Sequence, residues 1–371
     1  MEYRYFYIDD ENSLQGIIAG LTKPDVIVVD YHEPNKDWNE EVDFFDKNHT
    51  QIDGLLLDLR LEDNINKIEY RGSTLAQEIR TRQKEKKMST FPIVLFSAND
   101  KLLESLDKTA KDLFDFCQEK SELNNFGDIP EFRNRLISLA AGYKKLSRID
   151  KKTFENILTT NELCFLDKRF VNNVEEQLKL PIHNIAKFII SELLDKQGYL
   201  ISELVLAARL GIDKDKSLDW TELLELLSAS KYDGIFSDFW IRWWMPVIDS
   251  WWYSSVSHNK YLRSLSSTQR VDLIKEKTGL QNLSPIIKNE KCSSDSFWTI
   301  CKGTNIPIDT VDGLVISNQE NLYPWQDKEY VSIYEALEET NKNAWKDILP
   351  SEKIRLEKLK KIFGNVHRIR K

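Results

Sequence analysis

Five positions in this sequence carry side chains whose types could do chemistry together: the adjacent carboxylates Asp9 and Asp10, the carboxylate Asp58, the hydroxyl of Ser97 and the ammonium of Lys120. Three carboxylates converging on one point repel each other, and the usual remedy is a hard divalent cation with oxygen ligands. Mg²⁺ keeps several waters and takes only one or two carboxylates, which leaves a position for a phosphoryl oxygen. An aspartate can attack a phosphoryl donor and form an acyl phosphate. The charge developing on the phosphoryl oxygens would be neutralised by the metal, the Lys120 ammonium and the Ser97 hydroxyl.

Convergence requires elements that deliver these residues to one place. Tyr3 to Ile8 is aromatic and β-branched, a strand by propensity, and ends in Asp9-Asp10-Glu11. A helix follows with Leu14, Ile17, Ile18 and Leu21 at helical spacing, stopped by Lys23-Pro24. Val26 to Val29 reads as a second strand, and Trp38 to Asn48 as a second helix with Val42, Phe44 and Phe45 inward. The apolar run Gly54-Leu55-Leu56-Leu57 is a buried strand that hands over Asp58. A polar, aperiodic segment from Leu61 to Gly72 reads as a mobile loop, and Ser73 can cap a third helix carrying Leu75, Ala76 and Ile79. Pro92 to Phe96 is a fourth strand ending at Ser97, Leu102 to Leu113 a fourth helix, and Phe114 to Cys117 a fifth strand leading to Lys120. A fifth helix starts with Pro130 at its first position and turns Phe132, Leu136, Ile137 and Ala140 to one side.

Strands alternating with helices imply right-handed crossovers and an α/β, doubly wound five-stranded parallel sheet. Asp9, Asp10, Asp58, Ser97 and Lys120 then all fall at the C-terminal edge of that sheet, where ligands bind in such folds.

On these residues, 3 to 146 of the chain resemble the receiver domain of bacterial two-component response regulators. The match lies in Ile8-Asp9-Asp10-Glu11, Leu56-Leu57-Asp58-Leu59, Leu95-Phe96-Ser97-Ala98 and the lysine after the fifth strand. The resemblance implies a flavodoxin-like fold, Asp58 as phosphoacceptor, and Mg²⁺ held by Asp10, Asp58 and the backbone carbonyl of Arg60, with Asp9 assisting through water. It implies a histidine kinase or phosphotransfer protein as partner. It also implies that phosphorylation draws Ser97 inward and rearranges the face of the fourth helix, fifth strand and fifth helix, a face that could also form a homodimer. Two departures stand out: Ser121 takes the place of the proline usual after the lysine, and the segment after Asp58 is longer than usual.

Composition bounds the rest. At 371 residues there is room for about two or three domains. With 41% hydrophobic and 30% charged residues the chain is of ordinary globular type. A net charge of −8 argues against whole-surface nucleic-acid binding. The four cysteines are scattered without a CxxC pair, so neither a disulfide framework nor a zinc knuckle is expected and a reduced, cytoplasmic setting is. No secretory signal and no membrane span are expected.

Past a charged stretch, Lys144 to Lys152, which could prolong the fifth helix or link domains, residues 147 to 371 read as a mostly helical, tryptophan-rich output domain. Val174 to Leu194 and Leu200 to Leu210 are apolar enough for core helices punctuated by Gly198 and Gly211, and Ser217 would cap a helix over Leu218 to Leu227. That helix follows Leu206 to Ile212 as in a helix-turn-helix, but its acidic and apolar surface is wrong for reading DNA. Trp240, Trp243, Trp244, Val247 and Trp251 follow helical spacing, with Pro246 kinking that helix or starting a new one. Their indoles could be core, with Asp238 or Asp249 as N–H partners, or could line a pocket around Arg242 for a base or a cation. Leu314 to Ile316 reads as a strand, Tyr330 to Glu338 as helix, and Ser351 to Lys371 as a basic docking helix with Ile354, Leu359, Ile362 and Phe363 on an apolar face. The expected activity is phosphoacceptor signalling to this second domain. An effector enzyme sited in the tryptophan-rich region and a DNA-binding regulator are the competing classes.

Overall fold

A computed structural model describes residues 2–9, 15–61, 68–97, 108–124, 128–159, 166–289, 292–317, 319, 321–338 and 347–369. It divides into two compact units, the first made of 1–160, 172–190 and 233–239, the second of 161–171, 191–232 and 240–371. The first unit thus takes in stretches beyond residue 146.

The first unit is built on one parallel sheet. Its strands are β1 (Tyr3–Ile8), β2 (Ile27–His32), β3 (Gly54–Leu57), β4 (Ile93–Ser97) and β5 (Phe116–Glu119), in the spatial order β2-β1-β3-β4-β5. This is the flavodoxin-like doubly wound order, which receiver domains share. β3 lies in the middle and is buried along its whole length, which is why it is an unbroken apolar run rather than an alternating one.

Two layers of helices cover the sheet. On one face α2 (Trp38–Asn48) and α3 (Gly72–Lys84) bring Phe45, Leu75 and Ile79 onto Leu55, Leu57, Ile93 and Leu95. On the other, the Tyr5 hydroxyl donates to the Leu136 carbonyl at 2.7 Å and Phe96 stacks on Phe132, so α5 (Asp128–Arg148) packs there. α1 (Gln15–Leu21) joins it, its Gly20 facing Ile129 of α5.

Several expected boundaries move. β2 runs to His32, and β5 starts at Phe116, because the Phe114 N–H still turns back to the Lys111 carbonyl. Of the fourth helix only Lys108–Lys111, here α4, is described. α3 begins at Gly72 with no side-chain cap, so Ser73 lies inside the first turn instead of capping it. α5 begins at Asp128, two residues before Pro130, and its buried side includes Leu139 and Tyr143, with Ile137 only half-buried. It continues through the charged stretch to Arg148.

Further chain completes the first unit. A helix at Phe154–Leu158 is closed by a capping box between Thr153 and Asn156. The 233–239 stretch carries Phe236 in a left-handed conformation (φ 70°), fully inside, against Gly142 of α5. A Cβ on Gly142 would lie 2.1 Å from the Phe236 ring, so glycine is what allows this approach.

Among the described residues the second unit is mostly helical, with three two-stranded sheets. Its core gathers Val205, Leu206 and Leu210 from Glu203–Leu210, Trp220 and Leu223 from Trp220–Leu226, Ile248 from Met245–Trp251, and Val271 and Ile274 from Ser267–Thr278. The long helix expected over 174–194, of which 172–190 belong to the first unit, is broken at Pro181 into Lys168–Gln177 and Ile182–Phe188, the latter running on as a π-helical turn to Leu194. Gly211 closes Glu203–Leu210 from the left-handed region (φ 74°), as expected of it. Ser217 does not cap; its hydroxyl donates to the Asp213 carbonyl and Asp219 holds the cap position.

The tryptophan stretch is not one helix. Trp243–Trp244 is a strand paired antiparallel with Leu200–Ile201, and Pro246 starts the helix Met245–Trp251. Tyr330–Ser332 is likewise a strand, paired with Gly313–Val315, before the helix Ile333–Glu338. Among the described side chains of the C-terminal helix Pro350–Ile369, Leu356 packs inward, while Ile354 and Ile362 face solvent at 61% and 59%; the side chain of Phe363 lies outside the described residues. No described helix is long and apolar enough to cross a membrane.

Candidate functional site

The register of the sheet assembles the site. Ile8 pairs with Leu57, so residues 9 and 58 leave the sheet side by side, and the Asp58 N–H still donates to the Ile8 carbonyl at 2.9 Å. On the far edge β5 runs level with β4, Ser97 opposite Glu119, and delivers Lys120 one residue beyond. The lysine stem then reaches back across the end of β4: its Nζ lies 5.9 Å from the Phe96 ring and 5.7 Å from the Tyr7 ring.

There the Lys120 ammonium donates to Asp9 Oδ2 at 2.5 Å and to Asp58 Oδ2 at 2.8 Å. The other Asp58 oxygen accepts from the Leu59 N–H at 2.6 Å, and the Tyr7 hydroxyl donates to Asp9. Asp9 is 1% exposed and Asp58 9%, so Asp58 is the more open of the two.

Burial pushes the Asp58 carboxyl above its usual range; the Asp9 charge acts in the same sense, and the Lys120 ammonium pulls against both. Burial works against the charge on Lys120, but Asp58 and Asp9 outweigh it and its affinity for the proton is raised. Tyr7 is held firmly in its phenol form, first by burial and then by its bond to Asp9. The site is therefore two carboxylates sharing one ammonium, one positive charge short of balance.

Of the residues singled out from sequence, Asp9, Asp58 and Lys120 are brought together. Asp10 lies outside the described residues, as does the side chain of Ser97, whose backbone ends β4. Arg60 is exposed two residues past Asp58. Among the described residues no group of three or more His, Cys, Asp or Glu gathers. Two carboxylates with oxygen donors only, in excess over the nearby positive charge, are nonetheless the donor chemistry that suits Mg²⁺.

Sequence reasoning missed three supports. Tyr7 was read as a strand former only, yet it sits two residues before Asp9 on the same strand face, which is the signal that could have found it. Gly72 lies against the site: a Cβ there would stand 1.9 Å from the Asp58 carbonyl oxygen, so only glycine lets α3 start this close. Of the segment between Asp58 and α3, residues 62–67 lie outside the described residues, and its described ends are anchored. Leu61, Ile68 and Tyr70 are buried, and the Tyr70 hydroxyl donates to the Asn35 carbonyl at 2.7 Å. Asn35 is itself held by Glu41, a fully buried carboxylate that also contacts His32 at 3.1 Å.

Three of the indoles that the sequence singles out are core. Trp240, Trp243 and Trp244 are at most 3% exposed, and the Trp240 N–H donates to Asp195, not to Asp238 or Asp249. Arg242 spends its guanidinium on the carbonyls of Leu194 and Ile241. The helix Trp220–Leu226 puts Trp220 and Leu223 into the core.

No protein-family model matches the chain, and no curated protein matches it. Among solved structures it is similar to a response regulator receiver domain (CheY-like) from Methylobacillus flagellatus, at 18% identity over 37% of this chain and 99% of that one, with a TM-score of 0.27. It is also similar to NtrX from Brucella abortus, solved in complex with ADP, at 16% identity and a TM-score of 0.30, over 41% of this chain and 31% of NtrX.

Proposed function

We propose that the first unit is a phosphoacceptor that takes a phosphoryl group onto Asp58. The observation that carries this reading is the bridging of Asp9 and Asp58 by the Lys120 ammonium, at 2.5 and 2.8 Å, at the C-terminal edge of a doubly wound sheet. A structural ion pair would balance one ammonium with one carboxylate. Two carboxylates on one ammonium keep a surplus negative charge at the more open end of the sheet, suited to a divalent cation.

In the reaction an Asp58 carboxylate oxygen attacks phosphorus, the bond from phosphorus to the donor's imidazole nitrogen breaks, and the imidazole leaves and takes up a proton. The product is an aspartyl phosphate, a mixed anhydride. Lys120 serves the incoming phosphoryl oxygens, since its ammonium already lies against the nucleophile and its charge is secured by Asp9 when Asp58 is esterified. Tyr7 keeps Asp9 oriented. Asp9, Asp10, Asp58 and the Arg60 carbonyl would hold Mg²⁺, which when bound neutralises phosphoryl oxygens. Ser97 is the hydroxyl that would contact the bound phosphoryl group. The donor is a histidine kinase or phosphotransfer protein, and the second unit is the output.

Intact mass of the full chain after incubation with acetyl phosphate or phosphoramidate and Mg²⁺ tests the reading. One added phosphoryl group is expected, absent from Asp58→Ala and strongly reduced in Lys120→Met. A wild type that stays unmodified, or an adduct that persists in Asp58→Ala, removes the proposal.

A further inference from the structure

The second unit contains a cavity of about 410 Å³ bounded by Asp249, Trp252, Tyr253, His258, Lys260, Tyr261, Arg263 and Trp298. We propose that it binds a planar aromatic anion: an aromatic ring carrying a phosphate or carboxylate group. This inference is independent of the phosphoacceptor reading.

Shape and wall chemistry come first. The volume falls in the range of small-molecule sites, and such sites are mostly apolar walls with a few placed polar groups. Four of the walls are aromatic. Trp252 is fixed by its N–H, which donates to the Lys260 carbonyl at 2.8 Å, and Trp298 packs against the core. Tyr253 and Tyr261 instead stand 61% and 81% exposed, two large rings left in solvent beside the opening. The backbone that presents Trp252 and Tyr253 is a π-helical segment, Trp252–Val256, which ends at Ser257 just before His258. Such widened turns are an uncommon conformation and occur often at functional sites.

Charge selects the ligand's sign. Three guanidinium groups surround the Trp298 ring, with Arg209 at 4.7 Å, Arg263 at 4.8 Å and Arg270 at 5.9 Å from its centroid. Arg209 is paired with Asp327, and Arg263 with Asp309 at 3.0 Å. Arg270 is fully buried and bonds to no described carboxylate, Asp309 and Asp295 attracting it only from a distance: it donates to the carbonyls of Leu262, Arg209 and Phe297, and its second terminal nitrogen has no partner among the described residues. Behind the Trp298 wall there is thus a positive charge that no described carboxylate bonds to. Lys260 and Arg263 add positive charge in the lining itself. The opposing group is Asp249, whose carboxyl is pushed up to about 6 by burial against the pull of Arg209, which weakens its opposition to an anion.

The full chain is titrated by calorimetry with AMP and with indole-3-acetate, which carry a phosphate and a carboxylate respectively, and with adenosine and inorganic phosphate as the ring without the charge and the charge without the ring. Saturable binding of at least one aromatic anion is expected, with adenosine and phosphate at least about tenfold weaker; which anion binds separates the phosphate class from the carboxylate class. Tyr261→Ala and Lys260→Gln, both at exposed positions, should each weaken it severalfold while leaving the thermal midpoint unchanged. The proposal is overturned if neither aromatic anion saturates at millimolar concentration, if adenosine or phosphate binds as tightly as they do, or if both variants bind as the wild type does.

Discussion

Both units bury an arginine, and they neutralise it differently. In the first, Arg80 meets Asp115 at 2.9 Å with 3% and 1% of the two side chains exposed, and Asp115 also accepts from the Ile93 N–H and from Tyr143. In the second, Arg270 is enclosed as completely but meets carbonyls only. The first unit pairs its buried arginine with a carboxylate and places two carboxylates on one ammonium at the sheet edge. The second leaves an interior positive charge beside a cavity. Unbalanced charge is costly in a core, so where it persists it marks the place to look for a ligand of opposite sign. The two sites would then attract opposite partners: a cation with its phosphoryl group at Asp58, and an anion at Trp298.

The sharpest way to test this contrast is to remove each arginine. Arg80→Met leaves the buried Asp115 without its counter-charge and should cost about 3–5 kcal/mol of stability in urea unfolding. Next in size is a pH effect in the same unit. Burial, with Arg80 adding to it, lowers the His183 imidazole to about 4. The unfolded chain takes up a proton near the ordinary value of ~6.5 while the folded chain does not, so stability is complete above that pH and is lost as pH falls from ~6.5 to ~4, on the order of 2–3 kcal/mol. His183→Gln should flatten that slope; an unchanged slope would mean His183 is as solvated in the folded chain as in the unfolded one.

The two units also differ in what their sequence disclosed, for a physical reason. β3 is apolar at every position because a central parallel strand is buried on both faces, and Asp58 stands out against Leu55-Leu56-Leu57 as a charge at its exit. Asp9 and Lys120 were legible by the same logic, since one strand end per crossover falls on one edge. What was not legible depends on contacts distant in sequence. Gly72 is needed because the Asp58 carbonyl approaches it, and Tyr70 is buried because it reaches Asn35. In the second unit, Trp243 and Trp244 follow helical spacing yet form a strand, because Leu200–Ile201 supplies the pairing and Pro246 prevents a helix from running through. The three arginines around Trp298 come from positions 209, 263 and 270, with no spacing that a one-dimensional reading could link.

Arg270→Met should cost less than Arg80→Met, about 1–3 kcal/mol. It leaves carbonyls without donors, but it also removes a buried charge that no described carboxylate bonds to directly. A loss as large as that of Arg80→Met would break the contrast between the two interiors.

The smallest expected effect has the opposite sign. Burial and the Asp9 charge raise the Asp58 carboxyl above its unfolded value. A carboxyl raised in this way costs stability wherever the unfolded chain has it ionised, so the cost is present at neutral pH, fades as pH falls through the raised folded value towards ~4, and is gone below that. Asp58→Asn should therefore raise the thermal midpoint at pH 7, converge with the wild type in acid, and accept no phosphoryl group. A variant less stable than the wild type at pH 7 would make the Asp58–Lys120 contact a net structural bridge, and the surplus charge at the sheet edge would no longer argue for a cation and a phosphoryl group there.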